Sequence, residues 1–206
     1  IDYCTKIKNK FPEKFTGKKV LDCGSLDING NNRYLFTNCN YTGIDVGEGK
    51  NVDVVSTIHE FDGKDQEFDF IISTECFEHD MHYQKSLQNI VRMLKPGGMF
   101  LFTCATTGRH EHGTRKTSHK DAPLLVGEWS DYYMNITEDN VRESINVDEI
   151  FEDFSFEIDH NHKDLMFYGI KNTYYKDKSK TLAIIIGVIA SVFTGFVIYL
   201  IVSNLL

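Results

Sequence analysis

The chain has 206 residues and a formal net charge of −8, room for one α/β domain of roughly 175 residues and little more. That acidic balance argues against a general nucleic-acid binder, which needs a basic face. Its five cysteines are dispersed and form no CxxC pair, which points to reduced, buried thiols in a reducing compartment rather than a disulfide framework.

Residues 3–15 place Ile7, Phe11 and Phe15 at loose helical spacing, so a leading helix broken near Pro12 is expected. Lys19-Val20-Leu21-Asp22-Cys23-Gly24 then reads as a short buried strand that ends in an acid and enters a turn-rich loop. A helix is expected from about Asn31, with a short helical piece around residues 33–36. At this first strand-to-helix crossing an open α/β sheet binds nucleotide-like ligands, and Gly24 admits a close backbone approach. A second strand, Tyr41-Thr42-Gly43-Ile44-Asp45, also ends in a carboxylate, placed to accept hydrogen bonds from two ribose hydroxyls.

Residues 52–55 read as a third strand and residues 68–74 as a fourth, an apolar run of the kind buried on both faces of a parallel sheet. Leu87, Ile90, Val91 and Leu94 follow i, i+3, i+4, i+7 spacing, the stripe of a surface helix. Lys95-Pro96-Gly97-Gly98 ends that helix, and residues 99–104 form the fifth strand. Between residues 105 and 136 the periodicity breaks. A polar insert of that length is either disordered or functional. Thr137 caps a short helix, and residues 154–160 and 165–171 read as a closing hairpin.

The end of the chain differs in kind. Residues 182–202 carry no charge, and as a helix would span roughly 31 Å, the thickness of a bilayer's hydrocarbon core. Lys176, Lys178 and Lys180 lie upstream in a basic linker, residues 176–181, and nothing basic follows. The expectation is a single-pass C-terminal membrane anchor, with the globular domain of residues 1–175 in the cytosol. Gly187, Ser191 and Gly195 form a small-xxx-small row through which two such helices could make a homodimer.

Two ligand classes fit a strand–loop–helix followed by a second acidic strand end. A dinucleotide needs G-x-G-x-x-G and a helix N-terminus for its pyrophosphate. Here the loop reads Gly24-Ser25-Leu26-Asp27-Ile28-Asn29-Gly30, whose Asp27 would repel that group. S-adenosylmethionine has no phosphates and carries cationic groups that acids suit.

On the strings Val20-Leu21-Asp22-Cys23-Gly24, Gly43-Ile44-Asp45, Phe68-Asp69-Phe70-Ile71-Ile72-Ser73 with Glu78-His79, and Met93-Leu94-Lys95-Pro96-Gly97-Gly98-Met99-Phe100, the sequence resembles the class I S-adenosylmethionine-dependent methyltransferases, nearest the small type 11 group. The resemblance covers residues 19–171. It departs at Ser25-Leu26-Asp27, where the family usually has a second glycine. The resemblance implies a Rossmann-like, doubly wound sheet of seven strands with the last antiparallel. It implies that Asp22, Gly24 and Ser25 line the methionine moiety, that Asp45 holds the ribose and Val46 the adenine edge, and that Ile58 and His59 flank the adenine. Thr74 and Glu75 should face the methyl-transfer site.

A hydroxyl acceptor needs its proton removed by a histidine or carboxylate within reach. His79 is the first candidate, with Glu75 beside it and His110, Glu111 and His112 next. The plainer reading of His79 is a histidine that orients a loop. Arg109, His110, His112, Trp129 and Tyr132 of the insert are the expected acceptor contacts, for a small-molecule or glycan-like substrate. A metal set of His110, His112, His119 and Asp121 has spacing common by chance, so no metal is expected. Rival functions are a non-catalytic membrane-tethered binding module and an NAD-dependent nucleotide-sugar enzyme.

Overall fold

Lys19–Cys23 (β1) lies in the middle of the sheet, and all but its first residue are buried. The computed structural model describes residues 2–175. The expected linker, membrane span and small-residue row fall outside the described residues, among which no helix is long and apolar enough to cross a membrane. The chain runs through Asp2–Lys10 (α1), β1, Asn40–Asp45 (β2), Val54–Val55 (β3), Phe68–Thr74 (β4), Tyr83–Met93 (α2), Leu94–Ala105 (β5), Glu138–Ser144 (α3), Val147–Ile150 (α4), Phe151–Asp159 (β6) and Asp164–Lys171 (β7). These strands form one sheet of order β3-β2-β1-β4-β5-β7-β6. The first five are parallel, and β7 runs antiparallel between β5 and β6. This is the seven-stranded sheet with a reversed last strand that the sequence led us to expect.

Residues alternate between sheet faces with a period of two. Phe70, Ile72, Met99 and Leu101 therefore join one cluster, closed by Tyr3, Cys4 and Ile7 of α1 and by Phe15 and Val20. Phe100 and Phe102 alternate with them and pack ring against ring with Phe77 and Phe167. Between β4 and β5, α2 buries Leu87, Ile90 and Val91 of the predicted stripe, whose fourth member, Leu94, already begins β5. Its last carbonyls are capped from far along the chain: buried Lys171 of β7 donates to the carbonyls of Val91 (2.6 Å) and Leu94 (2.8 Å).

Three expectations change. The helix foreseen from about Asn31 is only a three-residue 3-10 turn, Arg33–Leu35. The reason is local: Asp27 accepts from the Gly30 N–H and the Asn31 side chain, and Asn31 accepts from the Arg33 N–H. Such side-chain-to-backbone bonds compete with a helix. The third strand shrinks to the exposed pair Val54–Val55, as expected of an edge strand. The fifth begins at Leu94 instead of residue 99: Leu94 already pairs with Phe68, and the next residues, with Gly97 at φ +72°, bulge out before pairing resumes at Phe70 and Met99.

Candidate active site

The carboxyl ends of β1, β2 and β4 open into a cleft of about 900 Å³, the position a parallel sheet offers a ligand. Asp22 stands there between Gly43 and Ile72 of the neighbouring strands and is 1% exposed. The Tyr41 hydroxyl and the Asn32 side-chain amide donate to its two oxygens, and Asn32 also donates to the Thr74 hydroxyl at 3.1 Å. Burial pushes the Asp22 carboxyl up to about 7, with the bonds from Tyr41 and Asn32 pulling the other way. Both partners are neutral, so a cationic ligand in the cleft would meet a carboxyl that no cation among the described residues bonds.

Gly24 has φ +77°, and a Cβ there would lie 2.5 Å from the Cys76 sulfur. Both the left-handed backbone and the packing against the loop after β4 require glycine. The amides of Gly24 and Ser25 both donate to the Ile44 carbonyl, which turns the chain back toward β2. At the tip of β2 the Asp45 carboxylate accepts from the Leu26 N–H (3.0 Å) and the Val46 N–H (2.8 Å). Burial raises its pKa and these two amides oppose the rise. Asp27 does not line the cleft. It pairs with Lys50 at 2.8 Å and pins the loop, so its charge stabilises the loop's own shape instead of meeting a ligand.

Of the residues expected around a cofactor, Asp22, Gly24, Ser25, Asp45, Val46, Ile58 and Thr74 all line the cleft. His59 does not. Its ring lies 4.4 Å from that of His82 and stacks at 6.4 Å on Trp129, so it buttresses a wall instead of forming it.

Beyond Thr74 the cleft becomes acidic. Glu75 has φ +51°, an uncommon value outside glycine. Its N–H donates to the Thr103 carbonyl and its carboxylate accepts from the Thr103 hydroxyl, each at 2.8 Å. Asp164, at the start of β7, faces the same space and pairs with Arg109 at 2.8 Å. Burial, with the Glu75 charge next, raises Asp164 to about 6. The insert closes this end. Arg109 pairs with Asp164 there, Asp121 and Trp129 also line the cleft, and at the cleft's other end Leu124 packs so close to Gly47, in the loop after β2, that a Cβ there would approach it to 3.1 Å. Tyr132, His110 and His112 are not on the cleft wall: the Tyr132 hydroxyl meets the Met134 sulfur at 3.5 Å, and His110 is exposed.

His79 does reach the cleft wall but is 7% exposed, with its ring against His112 (5.1 Å) and Tyr133 (5.5 Å). Burial, reinforced by His112, pushes its pKa down to about 4. It is neutral at physiological pH and a poor base. Reading the sequence missed Asn32, Tyr41 and Asp164. Asn32 and Tyr41 gave no signal apart from their closeness to two acidic strand ends, and Asp164 was taken as part of a hairpin turn.

A family model described as a methyltransferase domain matches residues 2–137. No curated protein matches the sequence. Among solved structures the chain is similar to Haemonchus contortus phosphoethanolamine N-methyltransferase 2 bound to phosphomonomethylethanolamine and S-adenosylhomocysteine, at 17% identity and TM-score 0.55 over 83% of this chain and 52% of that one. It thus spans about half the length of that enzyme. Burkholderia thailandensis 1,6-didemethyltoxoflavin-N1-methyltransferase matches at 16% identity and TM-score 0.56, over 82% of this chain and 76% of its own. A methyltransferase from Aquifex aeolicus matches at 16% and 0.52, covering 82% and 89%. At these identities the likeness is one of fold.

Proposed function

The chain belongs to the methyltransferase-domain family, and from that premise we propose that it transfers the methyl group of S-adenosylmethionine to a hydroxyl of a small, polar, glycan-like acceptor. S-adenosylmethionine supplies an activated methyl on a cationic sulfur, so the chain's task is mainly in-line positioning and exclusion of water. Asp22 and the Gly24–Ser25 turn fit the methionine end, because a buried carboxyl held only by neutral donors suits a cationic amine. Asp45 keeps unused acceptor capacity beside its two amide bonds and fits the ribose diol; Val46 and Ile58 flank the adenine. A dinucleotide fits poorly, since the loop runs into a three-residue turn instead of a helix that could hold a pyrophosphate.

One observation carries the acceptor assignment: Glu75 and Asp164 share the cleft's far end, where burial, with the Glu75 charge adding to it, raises Asp164 to about 6. A carboxylate of that basicity is ionised at neutral pH yet can take a proton from a hydroxyl as the methyl arrives. His79, expected from the sequence as the base, yields that role to Asp164, with Glu75 holding the acceptor. The same acidic wall, with Asp121 and Asp159 also lining it, favours a second reading, a cationic amine acceptor. Label transfer from S-adenosylmethionine to sugar, polyol and amine fractions separates the two. Asp164→Asn should lower turnover about 10²-fold or more, with cofactor affinity within a few-fold. Full turnover in that variant would remove Asp164 from the chemistry.

The proposed location is a membrane, through residues 182–202, with the catalytic domain on the cytosolic side. The uncharged run and the lysines at 176, 178 and 180 support it.

A further inference from the structure

Behind the His79 wall of the cleft lies a cluster that methyl transfer does not use. Glu78 belongs to the 3-10 turn Phe77–His79 after β4 and is completely buried. Among the described residues neither of its carboxylate oxygens has a hydrogen-bond donor in bonding geometry. Its own amide and that of Ala105 partly offset the cost of burial, but burial dominates and, with the Glu75 charge, drives its pKa well up. Beside it, buried His79 leaves Nδ1 without a partner. The insert brings in a third donor: His112 places Nε2 3.9 Å from a Glu78 oxygen. One ligand atom from each of Glu78, His79 and His112 lies within 4.8 Å of the others.

An isolated buried carboxyl is costly, and proteins pair such groups or give them a metal. Among the described residues no lysine or arginine bonds it; two imidazoles flank it instead, a donor set no hydrogen-bond network there accounts for. We propose that Glu78, His79 and His112 bind a first-row divalent transition metal ion of zinc-like preference. Two nitrogens and one carboxylate oxygen select that class over magnesium or calcium, which require oxygen ligands. Ligand bonds near 2.1 Å require the three side chains to close by about an ångström, a small movement for side chains. The ion would neutralise Glu78 and fasten the insert to the loop after β4, directly behind the acceptor end of the cleft. The site differs from the histidine set considered from the sequence: of those residues only His112 takes part.

The test uses the full chain, stripped with a chelator. Titration with Zn²⁺ should show one tight equivalent, and Co²⁺ should give the visible absorption of a low-symmetry nitrogen–oxygen site. Glu78→Gln and His112→Ala should each weaken Zn²⁺ at least tenfold, whereas His110→Ala and His162→Ala should not. If Glu78→Gln fails to fold, His112→Ala on the half-buried insert decides alone. Absence of stoichiometric Zn²⁺ binding, or unchanged binding in a folded His112→Ala, would overturn the proposal. Cofactor affinity, measured separately, reports on the methyltransferase reading and not on this one.

Discussion

A single proton on Asp22 couples this site to pH. With its carboxyl raised to about 7 by burial, the unliganded chain holds a proton there that an unfolded chain gives up near pH 4. That contribution to stability is complete below about pH 4 and is lost as pH rises toward 7. A cationic ligand reverses the preference, because it needs the ionised form. Affinity for S-adenosylmethionine should therefore fall about tenfold per unit as pH drops below 7 and level off above 8. Calorimetry at pH 6.5 in buffers of different ionisation enthalpy should show a proton released on binding. Asp22→Asn should flatten the profile, and a wild-type affinity independent of pH would mean that Asp22 does not face the ligand's charge.

Among the elements, the insert has the clearest consequence for binding. Leu124 packs on Gly47 in the loop after β2, two residues from Asp45, the proposed ribose ligand, and also lines the cleft. It puts apolar surface over the end of the cleft proposed to take the adenine. Leu124→Ala should weaken cofactor binding by about 1 kcal/mol, roughly fivefold, with little change in melting temperature because the side chain is only half-buried. Unchanged affinity would leave the insert serving only the acceptor. Elements with strong periodicity were legible beforehand: β4, the stripe of α2, and the hairpin that became β6 and β7 each carry their pattern within a few residues. The two acidic strand ends were legible for the same reason, since Asp22 and Asp45 directly follow apolar runs. The missing helix after Asn31 was not, because Asp27 and Asn31 divert the backbone through bonds visible only once the loop is closed. Glu78, His79 and His112 were out of reach in a different way. The first two adjoin in sequence, but the third arrives through a segment with no periodicity at all.

For the molecule as a whole, the proposed membrane location rests on the uncharged run at residues 182–202. The full chain should stay with membranes in alkaline carbonate, and shortening it after Lys178 should give a soluble, folded protein that still binds cofactor. Two arginines near Val192 should release it too, each costing about 2.5–3.5 kcal/mol at a span's centre. A full chain that partitions as a stable soluble monomer would remove the anchor. The sheet order has a further outcome, for biosynthesis. The strand made last, β7, enters the interior of the sheet between β5 and β6 and brings Lys171 to the end of α2. Until those residues leave the ribosome, β5 has an open edge and Phe100 and Phe102 lack Phe167. The nascent chain must therefore carry an unpaired, aromatic-rich edge from the completion of β5 at residue 105 to that of β7 at residue 171. Its dependence on chaperones should be set by the final strand, and nicks or early stops within β7 should yield aggregates instead of smaller folded pieces.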